Sequence, residues 1–180
     1  MSRRLYHILF IVLLLIVSYY FNLHESVFTA NQSEYTSIKG NYESIALNYY
    51  QHGMNFFKPE VNIQTPDGIS SKNAATFETP ILYYFVAVLY KIFGYQLWIY
   101  PLLICLIFLT GLYYLFKTFA QMSHDFFWSI ALPVFLLCSP LYISLSNSFS
   151  SNIPALSFSL IAWYHFFKYK RNAPKIYLLY

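Results

Sequence analysis

Apolar residues run in long blocks along this chain, broken by polar stretches of unequal length. Leu97–Phe116 is the clearest block, about 20 residues without a charge, the length that crosses a hydrocarbon core. Leu5–Phe21, Phe126–Ser139 and Ile153–Phe167 read as further spans, with Pro133 tolerated as a kink inside one of them, Lys117–Asp125 as a short cytoplasmic turn and Leu141–Ser151 as a Ser-rich segment at the outer surface. Lys175–Tyr180 opens another apolar run, which reads as the start of a fifth span and as a sign that the chain is a truncated or incomplete one. Between the first block and the rest lies a polar segment from about Glu25 to Gly94. It contains its own helical pattern: Tyr42, Ile45, Ala46, Tyr49 and Gly53 share one face, while Glu43, Asn48, Gln51 and His52 fall elsewhere. Asn41 is a good N-cap for that helix and Gly53 a good stop. Phe56 to Ala75 reads as loop, with Thr65-Pro66-Asp67-Gly68 as a turn.

The run Ile81–Phe93 is apolar, follows Pro80 and stops at Gly94. As a helix it covers about 20 Å, short of a hydrocarbon core of about 30 Å, and Lys91 interrupts it. Charge decides its placement. If it crosses a membrane, Lys117 and the cluster Lys168, Lys170 and Arg171 fall on the side opposite Arg3 and Arg4. If it lies in the outer interface, all these bases fall inside, as the positive-inside rule prefers.

Composition agrees with this pattern. The 180 residues are 58% hydrophobic, 22% aromatic and only 10% charged, which no ordinary soluble domain combines. Every acidic residue except Asp125 lies between residues 25 and 78, and the net charge of +4 is carried mostly beside the apolar blocks. That is a topology signal and not a nucleic-acid footprint. The expected fold is an all-α integral membrane protein: a transmembrane helix bundle with an extracytoplasmic loop carrying two interfacial helices. Its parts are a first transmembrane helix over 1–22, the extracytoplasmic loop over 23–96, and transmembrane helices over 97–180. The N-terminus is expected in the cytoplasm, in a membrane of the bacterial inner type. Ser18-Tyr19-Tyr20-Phe21 offers no small-residue cleavage site, so the first block reads as an uncleaved helix. Cys105 and Cys138 lie within apolar runs and read as packing residues. No CxxC, HExxH or metal-spaced His pair occurs, and Asn31-Gln32-Ser33 is a sequon of a kind common by chance.

Several short stretches together resemble a known family. They are Tyr42 to Pro59 (YESIALNYYQHGMNFFKP), Phe77-Glu78-Thr79-Pro80, Ile92-Phe93-Gly94 and Asn152-Ile153-Pro154-Ala155. In order and spacing, residues 35–175 resemble the N-terminal part of the GT-C class of membrane glycosyltransferases, which includes protein O-mannosyltransferases and aminoarabinose transferases. The resemblance implies a polyprenyl-phosphate sugar as donor, membrane lipid as surroundings, and an extracytoplasmic acceptor. It also allows a divalent metal. At the family's first Asp position this chain has Asn41, and at the second it has Asn152. The family Arg positions fall at Ile38 and near Tyr100 and Pro101, none of them basic. An amide cannot take up a proton near neutral pH and is a poorer metal ligand than a carboxylate.

The candidate catalytic residues are therefore Glu43, Glu78 and Asn41, and the candidate donor-binding residues are Asn152, Lys39 and Lys72. Each has a plainer reading beside it. Asn41 and Asn152 are good helix caps. Glu43 reads also as a solvated acid favoured by a helix N-terminus, and Glu78 likewise precedes a helix start. Lys39 and Lys72 either meet a lipid phosphate or are solvated loop charges, and His52 and Lys91 either face headgroups or snorkel. The alternative to an enzyme is a non-catalytic polytopic protein that keeps the scaffold to bind a lipid carrier or to serve a partner subunit. A transporter is disfavoured, because an ion pathway needs charges within its spans and Leu97–Phe116 has none.

Overall fold

Helices follow the apolar blocks, and their ends follow glycine and asparagine. The computed structural model describes residues 3–28, 37–64, 70–74, 80–123, 125–140, 142–143 and 151–172. The main elements are α1 (Arg3–Tyr20), α2 (Leu23–Phe28), α3 (Ser37–His52), β1 (Glu60–Gln64), β2 (Ser70–Ala74), α4 (Ile81–Phe93), α5 (Ile99–Met122), α6 (Phe126–Leu137) and α7 (Asn152–Asn172). The protein is mostly helical. Among the described residues α5 is the one helix long and apolar enough to cross a membrane; the apolar stretches Leu5–Tyr20, Ile81–Phe93 and Phe126–Leu137 are shorter.

The expected stops at Gly53 and Gly94 are real. Both glycines take positive φ, 107° and 80°, which a Cβ would strain. Asn22 does the same work between α1 and α2 at φ 52°, a conformation that asparagine tolerates better than most residues. Other expectations are corrected. Helix α3 begins at Ser37, so Asn41 lies inside it and does not cap it. Lys117 to Met122, read as a turn, continue α5. Here Thr118 is buried and its hydroxyl bonds back to the Tyr114 carbonyl at 2.9 Å, so the helix retains a packed face past Lys117. Residues read as loop form an antiparallel hairpin, Glu60 pairing with Ala74 and Gln64 with Ser70. The Thr65–Gly68 turn and most of Leu141–Ser151 lie outside the described residues, as does Lys175–Tyr180.

The chain divides into two compact units. The helical unit comprises Met1–His24, Cys105–Ser146 and Asn152–Tyr180. The hairpin unit comprises Glu25–Ile104 and Asn147–Ser151. Helix α5 contributes its first residues to the hairpin unit and its remainder to the helical unit.

In the helical unit, α1 presents His7, Phe10 and Leu14 at helical spacing. Phe10 stacks on Phe116 of α5 with ring centroids 4.2 Å apart, and Tyr6 meets Phe126 of α6 at 4.4 Å. Helix α6 opens at Asp125, whose carboxylate accepts the Phe127 N–H at 2.9 Å, an N-cap. Helix α7 packs closely on α5 at Gly111. A Cβ on Gly111 would sit 2.8 Å from Ser157 Cα and Cβ. Ser157 is fully buried and donates its hydroxyl to the Ile153 carbonyl at 2.8 Å. Small residues allow this approach of two backbones. Gly111→Ala is expected to lower stability by about 1–3 kcal/mol through overpacking. Thermal unfolding of the purified protein checks this against Thr110→Ala, an exposed neighbour whose change should leave the midpoint nearly where it was.

Candidate functional site

Helix α3 organises the hairpin unit because it buries two sides. Ile45, Ala46 and Tyr49 form the expected apolar side, and all are buried. Against it α4 lays Tyr83, Val86, Ala87 and Tyr90, one turn-by-turn stripe with every member buried. Tyr49 and Tyr84 meet edge to face at 5.4 Å, and Tyr50 and Tyr90 at 6.2 Å. Such pairs add about 0.5–1.5 kcal/mol each beyond their area. The second side is polar and was not expected to be buried. Asn48 is buried and donates to the Glu60 carbonyl at 2.9 Å and to Asn62 Oδ1 at 3.1 Å. One turn earlier, Ser44 Oγ accepts the Asn62 N–H at 3.2 Å. These bonds fix β1 along α3.

Glu43 lies seven residues before Tyr50, on the edge of α3 that meets the end of α4. It is 6% exposed, so it is not a solvated acid. The start of α3 at Ser37 also moves it out of the first turn. Its Oε1 accepts the Tyr95 hydroxyl at 2.6 Å, the length of a charge-assisted O–H···O⁻ bond. Tyr95 follows the Gly94 stop of α4 and packs edge to face on Tyr90 at 5.2 Å. A closed circuit results: Glu43 holds Tyr95, Tyr95 touches Tyr90, and Tyr90 touches Tyr50 back on α3. Among the described residues no cation forms an ion pair with Glu43.

The other candidates are not brought to this carboxylate by any described contact. Asn41 and Lys39 are placed by backbone alone, inside α3. Lys72 lies in β2 opposite Asn62. Glu78 lies outside the described residues. Asn152 is exposed at the start of α7, in the helical unit. Both His52 and Lys91 are exposed. No group of three or more His, Cys, Asp or Glu side chains able to hold a metal occurs among the described residues. Among the described residues Glu43, with one oxygen committed to Tyr95, belongs to no such group, a donor set that does not fit a metal centre.

No protein-family model, curated protein or solved structure matches this chain. The site is thus read from its own geometry. Sequence reasoning missed Tyr95, and the signal was close at hand. A phenol immediately after a helix-ending glycine is presented back toward the helix pair that the glycine terminates.

The same unit buries several phenols, Tyr49 among them. Tyr49 donates to the Phe56 carbonyl at 3.0 Å, and burial, with a smaller contribution from Tyr84, pushes its pKa above the usual tyrosine value of about 10. A raised folded pKa means the folded state holds this proton more tightly. The stabilisation is therefore complete below the unfolded value of about 10 and is lost as pH rises through the folded one. Unfolding midpoints measured from neutral pH into this alkaline range should fall for the parent chain. In Tyr49→Phe the midpoint should start lower, for want of the bond to Phe56, and fall less steeply.

Proposed function

We propose that this chain is a membrane glycosyltransferase-like protein that takes a sugar from a polyprenyl-phosphate donor and passes it to an extracytoplasmic acceptor. The observation that carries the reading is the Glu43–Tyr95 bond. It joins two stretches of the resemblance, Tyr42–Pro59 and, through the residue that follows it, Ile92-Phe93-Gly94, around one buried carboxylate. In this reading Glu43 takes the acceptor hydroxyl proton as the acceptor oxygen bonds to the sugar C1. The C1–O bond to phosphate breaks, and the phosphate leaves on its polyprenyl carrier with inversion at C1. Tyr95 positions the carboxylate. Asn41 and Asn152 occupy the family Asp positions as neutral hydrogen-bonding groups, Lys39 and Lys72 are the cations assigned to the donor phosphate, and Glu78 is the remaining candidate carboxylate.

The membrane placement belongs to the same proposal. Helix α5 spans, the N-terminus is cytoplasmic in a membrane of the bacterial inner type, and α3 and α4 belong to the outer side. Support comes from α4, which is apolar on both faces. Ile81, Phe85 and Ile92 recur along the face opposite its buried stripe and are exposed, as are Phe57 and Phe93. An exposed apolar surface of this kind marks contact with lipid or protein. In the helical unit Ile8, Leu15 and Ile16 of α1, Trp128 and Phe135 of α6, and Phe158, Trp163 and Phe166 of α7 are exposed in the same way.

A second reading has one observation in its favour. A carboxylate buried and bonded to Tyr95 also serves as a structural lock, in a scaffold that binds a lipid carrier or a partner subunit without transferring sugar. A transfer assay on membranes carrying the chain, with labelled polyprenyl-phosphate sugar, separates the two. Loss of a general base costs about 100-fold or more. Glu43→Gln is expected to lose transfer to that extent, and Tyr95→Phe to lose less. Equal rates in the parent, Glu43→Gln and Glu78→Gln would remove both carboxylates from the mechanism and leave the scaffold reading.

A further inference from the structure

The helical unit contains a cavity of about 370 Å³, within the size range of small-molecule sites. It lies among Tyr6 of α1, Lys117 and Gln121 of α5, Asp125 before α6, and Tyr164 and Arg171 of α7. None of these residues has a part in the transfer reading.

Lys117 is held in an unusual way. Its Nζ lies 4.4 Å from the Tyr164 ring centroid, 4.8 Å from Tyr114 and 5.6 Å from Tyr113. Cation–π contacts fix the ammonium without neutralising it. Gln121 and Tyr164 bring an amide and a hydroxyl to the same lining. Arg171 brings a second cation to the same cavity. Its place in the last turn of α7 suits the helix dipole. That reason does not extend to Lys117, which lies more than a turn before the end of α5. Among the described residues neither base is in an ion pair. Asp125 is the acid in the lining, and its Oδ1 is engaged with the Phe127 N–H as the cap of α6. Phe116 and Phe126 complete an apolar wall.

We propose that this cavity binds a phosphate ester headgroup, with Lys117 and Arg171 meeting the phosphate and the phenylalanines meeting its apolar continuation. A guanidinium and a fixed ammonium beside hydroxyl and amide donors are the groups that recognise a phosphate. The apolar wall favours one carried by an anionic glycerophospholipid over a free ester.

The test titrates the purified full chain, followed by thermal unfolding, with short-chain phosphatidylglycerol, short-chain phosphatidylcholine and glycerol phosphate. Phosphatidylglycerol should raise the midpoint at concentrations where phosphatidylcholine does not. Arg171→Gln, exposed and so able to fold, should weaken that response about tenfold, and Lys117→Gln at least as much. A response to glycerol phosphate that Arg171→Gln also abolishes supports the phosphate site with a soluble ester as its source. A response to phosphatidylglycerol alone supports the lipid source. Equal stabilisation by phosphatidylcholine, no stabilisation by either phosphate compound, or an undiminished response in Arg171→Gln overturns the proposal.

Discussion

Helix α4 carries apolar side chains all the way round, and α3 covers only half of them. This is the constraint from which the hairpin unit follows. Tyr83, Val86, Ala87 and Tyr90 are removed from water, Tyr90 against Tyr50 of α3 and Tyr83 against Tyr100 of α5, and at about 25 cal/mol per Å² of apolar surface such burial dominates local stability. Ile81, Phe85 and Ile92 face outward and need another apolar neighbour. A helix with this double demand cannot move freely. It is held from within by ring-on-ring contacts and from without by whatever covers the second stripe. Gly94 then ends it abruptly, and the first residue beyond, Tyr95, returns to Glu43.

The position of Glu43 has an energetic consequence. Desolvating a carboxylate costs several kcal/mol unless hydrogen bonds replace the lost water. One short bond from a phenol offsets part of that cost, and a neutral tyrosine adds no opposing charge. A glutamine could accept the same hydrogen bond with a smaller desolvation cost. For packing alone, the carboxylate is therefore the dearer choice at this place.

Some of this was legible in the residues, and the reasons differ by element. Helix α4 was readable to its ends because Pro80 and Gly94 bracket an unbroken apolar run. The end of α3 was readable at Gly53 for the same reason. Its beginning was not: Asn41 is a good cap by chemistry, yet the helix continues back to Ser37, so local preference yields there to the longer helix. Strand β2 is Ser-Ser-Lys-Asn-Ala, with no β-branched or aromatic residue, and its conformation is set by pairing with β1. The burial of Glu43 and Asn48 was invisible to a reading that assigns α3 a single apolar face, since the second face is packed through hydrogen bonds. Lys117 looked like a turn residue because a charge after an apolar run usually is one. Tyrosines one turn away and on α7 let the helix continue beneath it.

Charge is distributed along the chain in a way that ties the two units to one principle. Apart from Asp125, no acid occurs outside residues 25–78, so the bases of the helical unit have almost no carboxylates of their own to meet. A lysine in that setting has three remaining options: water, an aromatic face or an anion supplied from outside. Lys117 takes the second, against the rings of Tyr113, Tyr114 and Tyr164 at a cavity wall. Arg171, brought to the same cavity from another helix, leaves two positive charges beside an apolar surface with a single, already engaged acid. Like charges on one cavity repel, and an anion between them offsets that cost. Nineteen tyrosines make the aromatic option available, but ring faces lower the cost of one ammonium and do nothing to screen it from a guanidinium. The segregation of acids to residues 25–78 is what makes an anion from outside the chain the natural counterpart of Lys117 and Arg171 in the proposed site.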